Sequence, residues 1–339
     1  MLILSICIPY YNRIHALKEN LAMIFQSSSN EFEVVVVDNF SPTDVREELR
    51  DIRDSRLRII RREEPVSPGE NGVSSIIEAK GKYAFLCLDK NYIVGYEINR
   101  FIDCLKKHPK LCGGHCRFRS TEEEAVQKSK RKFKIYGKRA PLKFCYGNHH
   151  PTGMFYRTEI IQHAYSGLLQ REIKNPYICD ILAAECAVRG PMMEYDYPIW
   201  YSYKGLQEEQ IKSYSYSAKA QNIWFTPETR IKSFKEFCSH LNRMPCSAWI
   251  KKEIILRLYL QTMKQITFEY KEHITSEGVC RHYYVECRKD VPKDELRGYA
   301  EQFNQTFLKS DIISSKLERY LIYATANFLF VLGKGKYLL

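Results

Sequence analysis

The chain has 339 residues, with 45% hydrophobic and 27% charged side chains. This suffices for a core and suits two packed units, or one large α/β domain with an appendage. It excludes disordered, collagen-like and coiled-coil readings. No apolar run approaches the ~20 residues of a membrane span, and mean hydropathy is −0.40. The net charge of +12 fits nucleic acid, an anionic membrane or phosphorylated small molecules, and does not choose among them. The 12 cysteines are scattered, and Met1–Tyr10 lacks the basic start of a signal peptide. Reduced thiols in a cytoplasmic protein are expected.

In chain order, Leu2–Ile8 reads as a buried strand. Arg13–Gln26 reads as a helix with Leu17, Leu21, Ile24 and Phe25 on one face. Phe32–Val37 is a second strand. Ser41-Pro42-Thr43-Asp44 has the pattern of a helix start capped by the Ser41 hydroxyl, with a helix to about Asp51. Leu57–Ile60 predicts a strand, Ser74–Ala79 a helix and Tyr83–Leu88 another strand. Alternation of this kind predicts an open, mostly parallel sheet with flanking helices, binding its ligand at the strand C-terminal ends. The polar clusters there are Tyr10 to Arg13, Asp38-Asn39 and Asp89-Lys90-Asn91. From about Lys204 the pattern turns helical. Thr226-Pro227-Glu228 opens one helix, Trp249–Tyr270 forms another, and more follow over residues 295–332. The expected division is therefore 1–204 and a helical C-terminal region, 205–339.

Five segments carry a resemblance: SICIPYYNR (Ser5–Arg13), FEVVVVDNFSPTD (Phe32–Asp44), ENGVSSIIEAKGKYAFLCLDKN (Glu70–Asn91), HHPTGMFYRTEII (His149–Ile161) and ICDILAAECAVRG (Ile178–Gly190). In this order they resemble the family 2 glycosyltransferases of the GT-A fold, over about residues 1–204. The resemblance implies sugar transfer, with inversion, from a nucleotide-diphosphate donor (UDP-linked above all) to a hydroxyl on a glycan or glycolipid. It places Pro9, Tyr11, Asn12, Arg13, Asp38 and Asn71 around the nucleotide. Asp38 would accept from uracil or ribose, and Tyr11 would stack a base; a turn-stabilising Asp and a packed surface Tyr are the plainer alternatives. Asp180 falls on the catalytic base, against the alternative of a helix-terminal carboxylate. Gly153 falls on the acceptor-side Gly-x-x-x-Arg segment that ends at Arg157, and His150 is a candidate acceptor contact.

The sequence departs from the family pattern at its Asp-x-Asp motif, which aligns on Leu88, Asp89, Lys90 and Asn91. Lys90 replaces the usual metal ligand, and no His follows Trp200 in YSYKGLQ. The expectation is metal-independence, with the Lys90 ammonium acting on the diphosphate. Mn²⁺ or Mg²⁺ held by Asp89, with Asn91 beside it, is the alternative. A catalytically inactive nucleotide-sugar-binding or scaffolding protein is the other reading of the lost motif.

Lys128–Lys143 holds eight Lys or Arg, read either as a solvated loop or as a collector of an anionic acceptor. Cys112-Gly113-Gly114-His115-Cys116 lacks a second half for zinc, and its glycines read as a turn. No aromatic-basic motif supports nucleic-acid binding. Tyr320–Leu332 is too short to span a bilayer and is expected to pack on the protein or on a second subunit. A peripheral contact with the inner face of the membrane is the alternative. The implied pathway is synthesis of a surface polysaccharide or glycolipid.

Overall fold

The computed structural model describes residues 2–168, 175–202 and 223–333. The chain divides into two compact units, Met1–Ser213 and Tyr214–Leu339. The expected boundary at 204/205 lies outside the described residues.

In the first unit, β1 (Leu4–Tyr10), α1 (Ile14–Ile24), β2 (Phe32–Asp38), α2 (Val45–Glu48), β3 (Leu57–Arg61), α3 (Pro68–Ile77) and β4 (Tyr83–Leu86) follow in sequence. They reproduce the alternation read from hydrophobic periodicity, with ends shifted by a few residues. Then come β5 (Asn91–Ile93), α4 (Gly95–Lys107), β6 (Gly113–Cys116), α5 (Glu122–Lys128), β7 (Lys132–Tyr136), α6 (Ala140–Phe144), β8 (Met154–Arg157), α7 (Thr158–Leu168), α8 (Ile178–Ala187), β9 (Met192–Asp196) and β10 (Trp200–Ser202). The main sheet has eight strands in the order β3-β2-β1-β4-β8-β6-β9-β7, and β5 pairs separately with β10. The pairs β1·β2, β1·β4, β2·β3 and β6·β9 are parallel, while β8 and β7 run antiparallel to their neighbours. β1 and β2 are buried along their whole length, which is why they read as continuous apolar runs rather than alternating ones. On α4, Phe101 meets Phe85, Phe155 and Tyr195 edge-on, with ring centroids 4.9–5.9 Å apart. Such edge contacts add to simple area burial.

Three local expectations differ. Ser41 does not cap a helix: its N–H and hydroxyl both donate to Asp38. The cap of α2 is Asp44, which accepts from the Arg46 N–H, and the helix is one turn long. α3 begins at Pro68 rather than Ser74, fixed by a capping box between Ser67 and Glu70. Gly113 and Gly114 are not a turn but lie inside β6. A Cβ on Gly114 would stand 2.1 Å from the Met193 carbonyl oxygen and 2.4 Å from the Phe155 ring. Glycine there is what lets β6 sit between β8 and β9.

The basic run is not one solvated loop. It covers the end of α5, the strand β7 and the helix α6.

The second unit, among the described residues, is helical: α9 (Pro227–Arg243), α10 (Ala248–Lys264), a π-helical turn (Gln265–Glu269), α11 (Tyr270–Ile274), α12 (Glu277–Tyr283), α13 (Lys293–Lys309) and α14 (Lys316–Leu332). Thr226 caps α9 through the Thr229 N–H, as its sequence predicts. Phe234, Tyr259, Phe303 and Phe307 form the aromatic centre of this unit. On α14, Ala326 and Phe330 are buried, whereas Leu317, Tyr320, Leu321, Phe328 and Leu332 are exposed. No helix among the described residues is long and apolar enough to cross a membrane.

Gly114→Ala is expected to destabilise the protein by about 1–3 kcal/mol, the usual cost of overpacking, because the clash includes backbone. Chemical denaturation measures it; an unchanged midpoint would contradict the close approach of the three strands.

Candidate active site

The parallel strands end together. Tyr10 on β1, Asp38 on β2 and Arg61 on β3 stand side by side in register, so the crevice beyond them is built from consecutive strand ends. Pro9 is buried one position earlier, opposite Val37. The turn after β1 carries Tyr11, Asn12 and Arg13. Asn12 has φ 52°, a left-handed conformation that Asn tolerates. Its N–H donates to the Ser41 hydroxyl at 3.0 Å.

Asp38 is fully buried. One of its oxygens accepts from the Ser41 N–H (3.0 Å) and hydroxyl (2.5 Å), and the other accepts from Arg61 Nη1 (2.7 Å). Of roughly four acceptor positions on a carboxylate, these leave about one. Asn71, on α3, donates to the Val37 carbonyl and accepts from Arg62. It thus ties α3 to the end of β2.

Asp89 lies in the turn after β4. Arg13 Nη1 donates to its Oδ1 at 2.5 Å, with both side chains below one-tenth exposed, and the Tyr11 N–H donates to its Oδ2 at 3.0 Å. Both oxygens are engaged. Asn91 is buried, and its Oδ1 accepts from the Thr152 hydroxyl at 2.7 Å. Lys90 stands half-buried between them.

The divalent cation that the family pattern brings to mind fits this donor set poorly. Asp89 is already neutralised by a buried guanidinium, Asn91 is engaged by Thr152, and the intervening residue is a cation. Mg²⁺ and Mn²⁺ sites draw on available carboxylate oxygens. Among the described residues, no group of three or more His, Cys, Asp or Glu is arranged to hold a metal.

The acceptor-side residues follow. Gly153 has φ +94°, and a Cβ there would lie 2.4 Å from Trp200 Nε1 and 2.6 Å from the Cys116 carbonyl oxygen. It is a packing glycine beneath the Trp200 ring. His150 stacks on that ring at 5.0 Å and lies 5.4 Å from Phe118. The Thr152 N–H donates to His150 Nδ1 at 3.1 Å. Burial, reinforced by the positive charge of Lys90, pulls the His150 pKa down to about 4, so the ring is neutral at pH 7. The neighbouring His149 touches a different group. Its N–H donates to Asp180 Oδ1 (3.4 Å), and its Nδ1 lies 3.7 Å from the same oxygen. Asp180 is buried in the first turn of α8. The two adjacent histidines therefore link the Lys90 region to Asp180.

Residues 5–163 match the family model described as glycosyl transferase family 2. Over this segment, just under half of the chain, the sequence is similar to the family 2 glycosyltransferases. No curated protein matches the chain. Among solved structures, S. aureus TarS 1-349 superposes with a TM-score of 0.57 at 15% identity, covering 90% of this chain and 92% of that one. Its complex with UDP-GlcNAc gives 0.57 at 14% identity, with the same coverage, and its complex with UDP gives 0.56 at 14%. The likeness establishes a shared GT-A fold: a mostly parallel sheet with flanking helices, followed by a helical C-terminal region.

Sequence reasoning missed three contributors. Arg61 closes the third strand directly beside Asp38, a position that strand register alone points to. Ser41 was read as a cap although it lies three residues after Asp38, within reach of its carboxylate. His149, rather than His150, is the histidine at Asp180, which no sequence signal separates.

A lowered histidine pKa means that the folded chain takes up that proton less readily than the unfolded chain. His150 therefore imposes no penalty above pH 6.5, and stability is lost as pH falls toward 4, by at most about 3 kcal/mol at ~1.4 kcal/mol per unit. The thermal midpoint is expected to fall over this range, and His150→Gln to fall less steeply. Parallel profiles for the two proteins would contradict the buried neutral ring.

Proposed function

We propose that the chain transfers a hexosyl group from a nucleotide-diphosphate sugar to a hydroxyl acceptor, with inversion. The observation that supports this reading is the match of residues 5–163 to the family 2 model, with Asp38 and Asp89 at the ends of the strands on either side of β1. A UDP-sugar is the donor we favour, supported by the UDP and UDP-GlcNAc bound to the TarS structures. The nucleoside lies against the Tyr11–Arg13 turn and Asp38, where Arg61 and the Ser41 hydroxyl hold the carboxylate in place. The acceptor hydroxyl attacks the anomeric carbon as the bond to the diphosphate breaks. Its proton passes to Asp180, which the His149 N–H positions. Lys90 supplies positive charge to the departing diphosphate, and Arg13 holds Asp89 neutralised, so the reaction proceeds without a divalent cation.

The setting we favour is surface polysaccharide or glycolipid synthesis at the cytoplasmic face of a membrane. The exposed apolar side of α14 provides a peripheral membrane contact or a contact between copies. A division near residue 204 would separate this machinery from the helical region.

The engaged carboxylates of Asp38 and Asp89 favour a second reading, a nucleotide-sugar-binding protein without turnover. One experiment separates the two. Transfer or donor hydrolysis is measured with a panel of nucleotide-diphosphate sugars, alongside nucleotide binding. Asp180→Asn is expected to keep donor binding and to lose about 10² to 10⁴-fold in turnover, the scale of a general base. Turnover in the variant at the wild-type rate would remove Asp180 from that role. Nucleotide binding with no turnover by the wild type on any donor would establish the second reading.

A further inference from the structure

A cavity of about 340 Å³ opens beside the candidate base. His115, Arg117 and Arg119, on and after β6, form one side of it, with Glu194 of β9 next to them. Lys143 and Phe144 of α6, together with His149, form the other. His149 is the residue that touches Asp180, so the cavity borders the place where an acceptor hydroxyl would be deprotonated. We infer that this cavity seats a negatively charged group of the acceptor, so that the sugar is added to an acidic saccharide. This rests on the proposed glycosyl transfer and specifies the substrate class of the same site.

The charge count supports it. Three cations and one carboxylate line the cavity. Arg117 pairs with Glu194 at 2.9 Å, and Arg119 pairs with Asp196 at 2.6 Å. The Arg117 side chain is 46% exposed, and such pairs contribute little in water, so an incoming anion can share its guanidinium at small cost. Lys143 makes no ion pair within 4.0 Å among the described residues, although its charge helps to lower the Glu194 pKa; its ammonium lies 6.0 Å over the Tyr136 ring. It is exposed and lines the cavity.

The two imidazoles lining the cavity carry a further sign. Among the described residues, His115 Nε2 and His149 Nδ1 are buried and without a hydrogen-bond partner, with Asp180 Oδ1 3.7 Å from the latter. Unpaired polar atoms of this kind are costly unless a ligand or ordered water completes them. Burial, with His149, His150, Lys143 and Arg117 nearby, holds the His115 pKa well below its ordinary value. The ring is neutral and can donate to an oxygen without adding charge. The Phe118 ring, 45% exposed, supplies an apolar face of the kind that a sugar ring covers. The volume is of the size that takes a monosaccharide carrying one anionic group. A neutral saccharide would leave the excess positive charge uncompensated.

The test titrates the imidazole resonances of labelled histidines with glucose 6-phosphate, glucuronate and glucose. The two acidic sugars are expected to shift the His115 and His149 resonances saturably, and glucose to leave them in place. The tighter of the two acids identifies the group as phosphate or carboxylate. Lys143→Gln should raise the dissociation constant at least threefold, and saturating UDP should leave the shifts intact. Equal response to glucose, no saturable shift, no effect of Lys143→Gln, or displacement by UDP would each overturn the inference. Saturable shifts in a protein that binds no nucleotide would support this subsite and reject the donor reading, so the two failures are distinguishable.

Discussion

The buried ion pair between Arg13 and Asp89 is the constraint on which the site is built. It joins the turn after β1 to the turn after β4, two strands that are neighbours in the sheet but 76 residues apart in sequence. The Tyr11 N–H completes the carboxylate from the same turn. Removing one partner of such a buried pair leaves an uncompensated charge and costs about 3–5 kcal/mol. Once the pair is made, the register of β1 against β4 fixes where Lys90 and Asn91 stand, and Thr152 then ties that turn to the acceptor side. The second anchor works in the same way. Arg61 and Ser41 hold Asp38, so β1, β2 and β3 end at a common level.

This arrangement changes the meaning of the lost aspartate. In a site built around a metal, the carboxylates after this strand must be available to the cation. Here Asp89 is committed to a guanidinium, and the next residue carries positive charge itself. On the proposed reading, the Lys90 ammonium takes the electrostatic place of a divalent ion. A lysine ammonium is a compact charge that serves as well in a ground-state complex as on a leaving group, whereas a metal must be bound afresh with each donor. The same accounting extends to the acceptor side, where Arg117, Arg119 and Lys143 outnumber the one lining carboxylate.

Much of the first unit was legible because its central strands are apolar and closed by polar turns. β1 and β2 could not be mistaken for helices: they are short apolar runs with β-branched residues, and they end at Tyr10 and Asp38. The second half of the sheet was harder to read. β6 is Gly-Gly-His-Cys, which carries no period-two signal, and its glycines are explained only by the approach of β8 and β9. β7 lies in a basic run with exposed side chains, so its pattern resembled a loop. Within the site, the strand-end aspartates were visible, but their partners were not. Arg61 and His149 reach Asp38 and Asp180 through tertiary placement, which spacing along the chain does not encode. Arg117 and Arg119 likewise come to line one cavity with Lys143 only in the folded chain.

The central claim is that protein cations, and not a metal, hold the donor diphosphate. Calorimetric titration of UDP in the presence of EDTA tests it most directly, with wild type and Lys90→Ala compared. The account predicts binding in EDTA that added Mn²⁺ does not strengthen, and a loss of about tenfold or more in the variant, the scale of a lost charge-assisted contact. Binding that appears only with Mn²⁺, and is unchanged in Lys90→Ala, would contradict it.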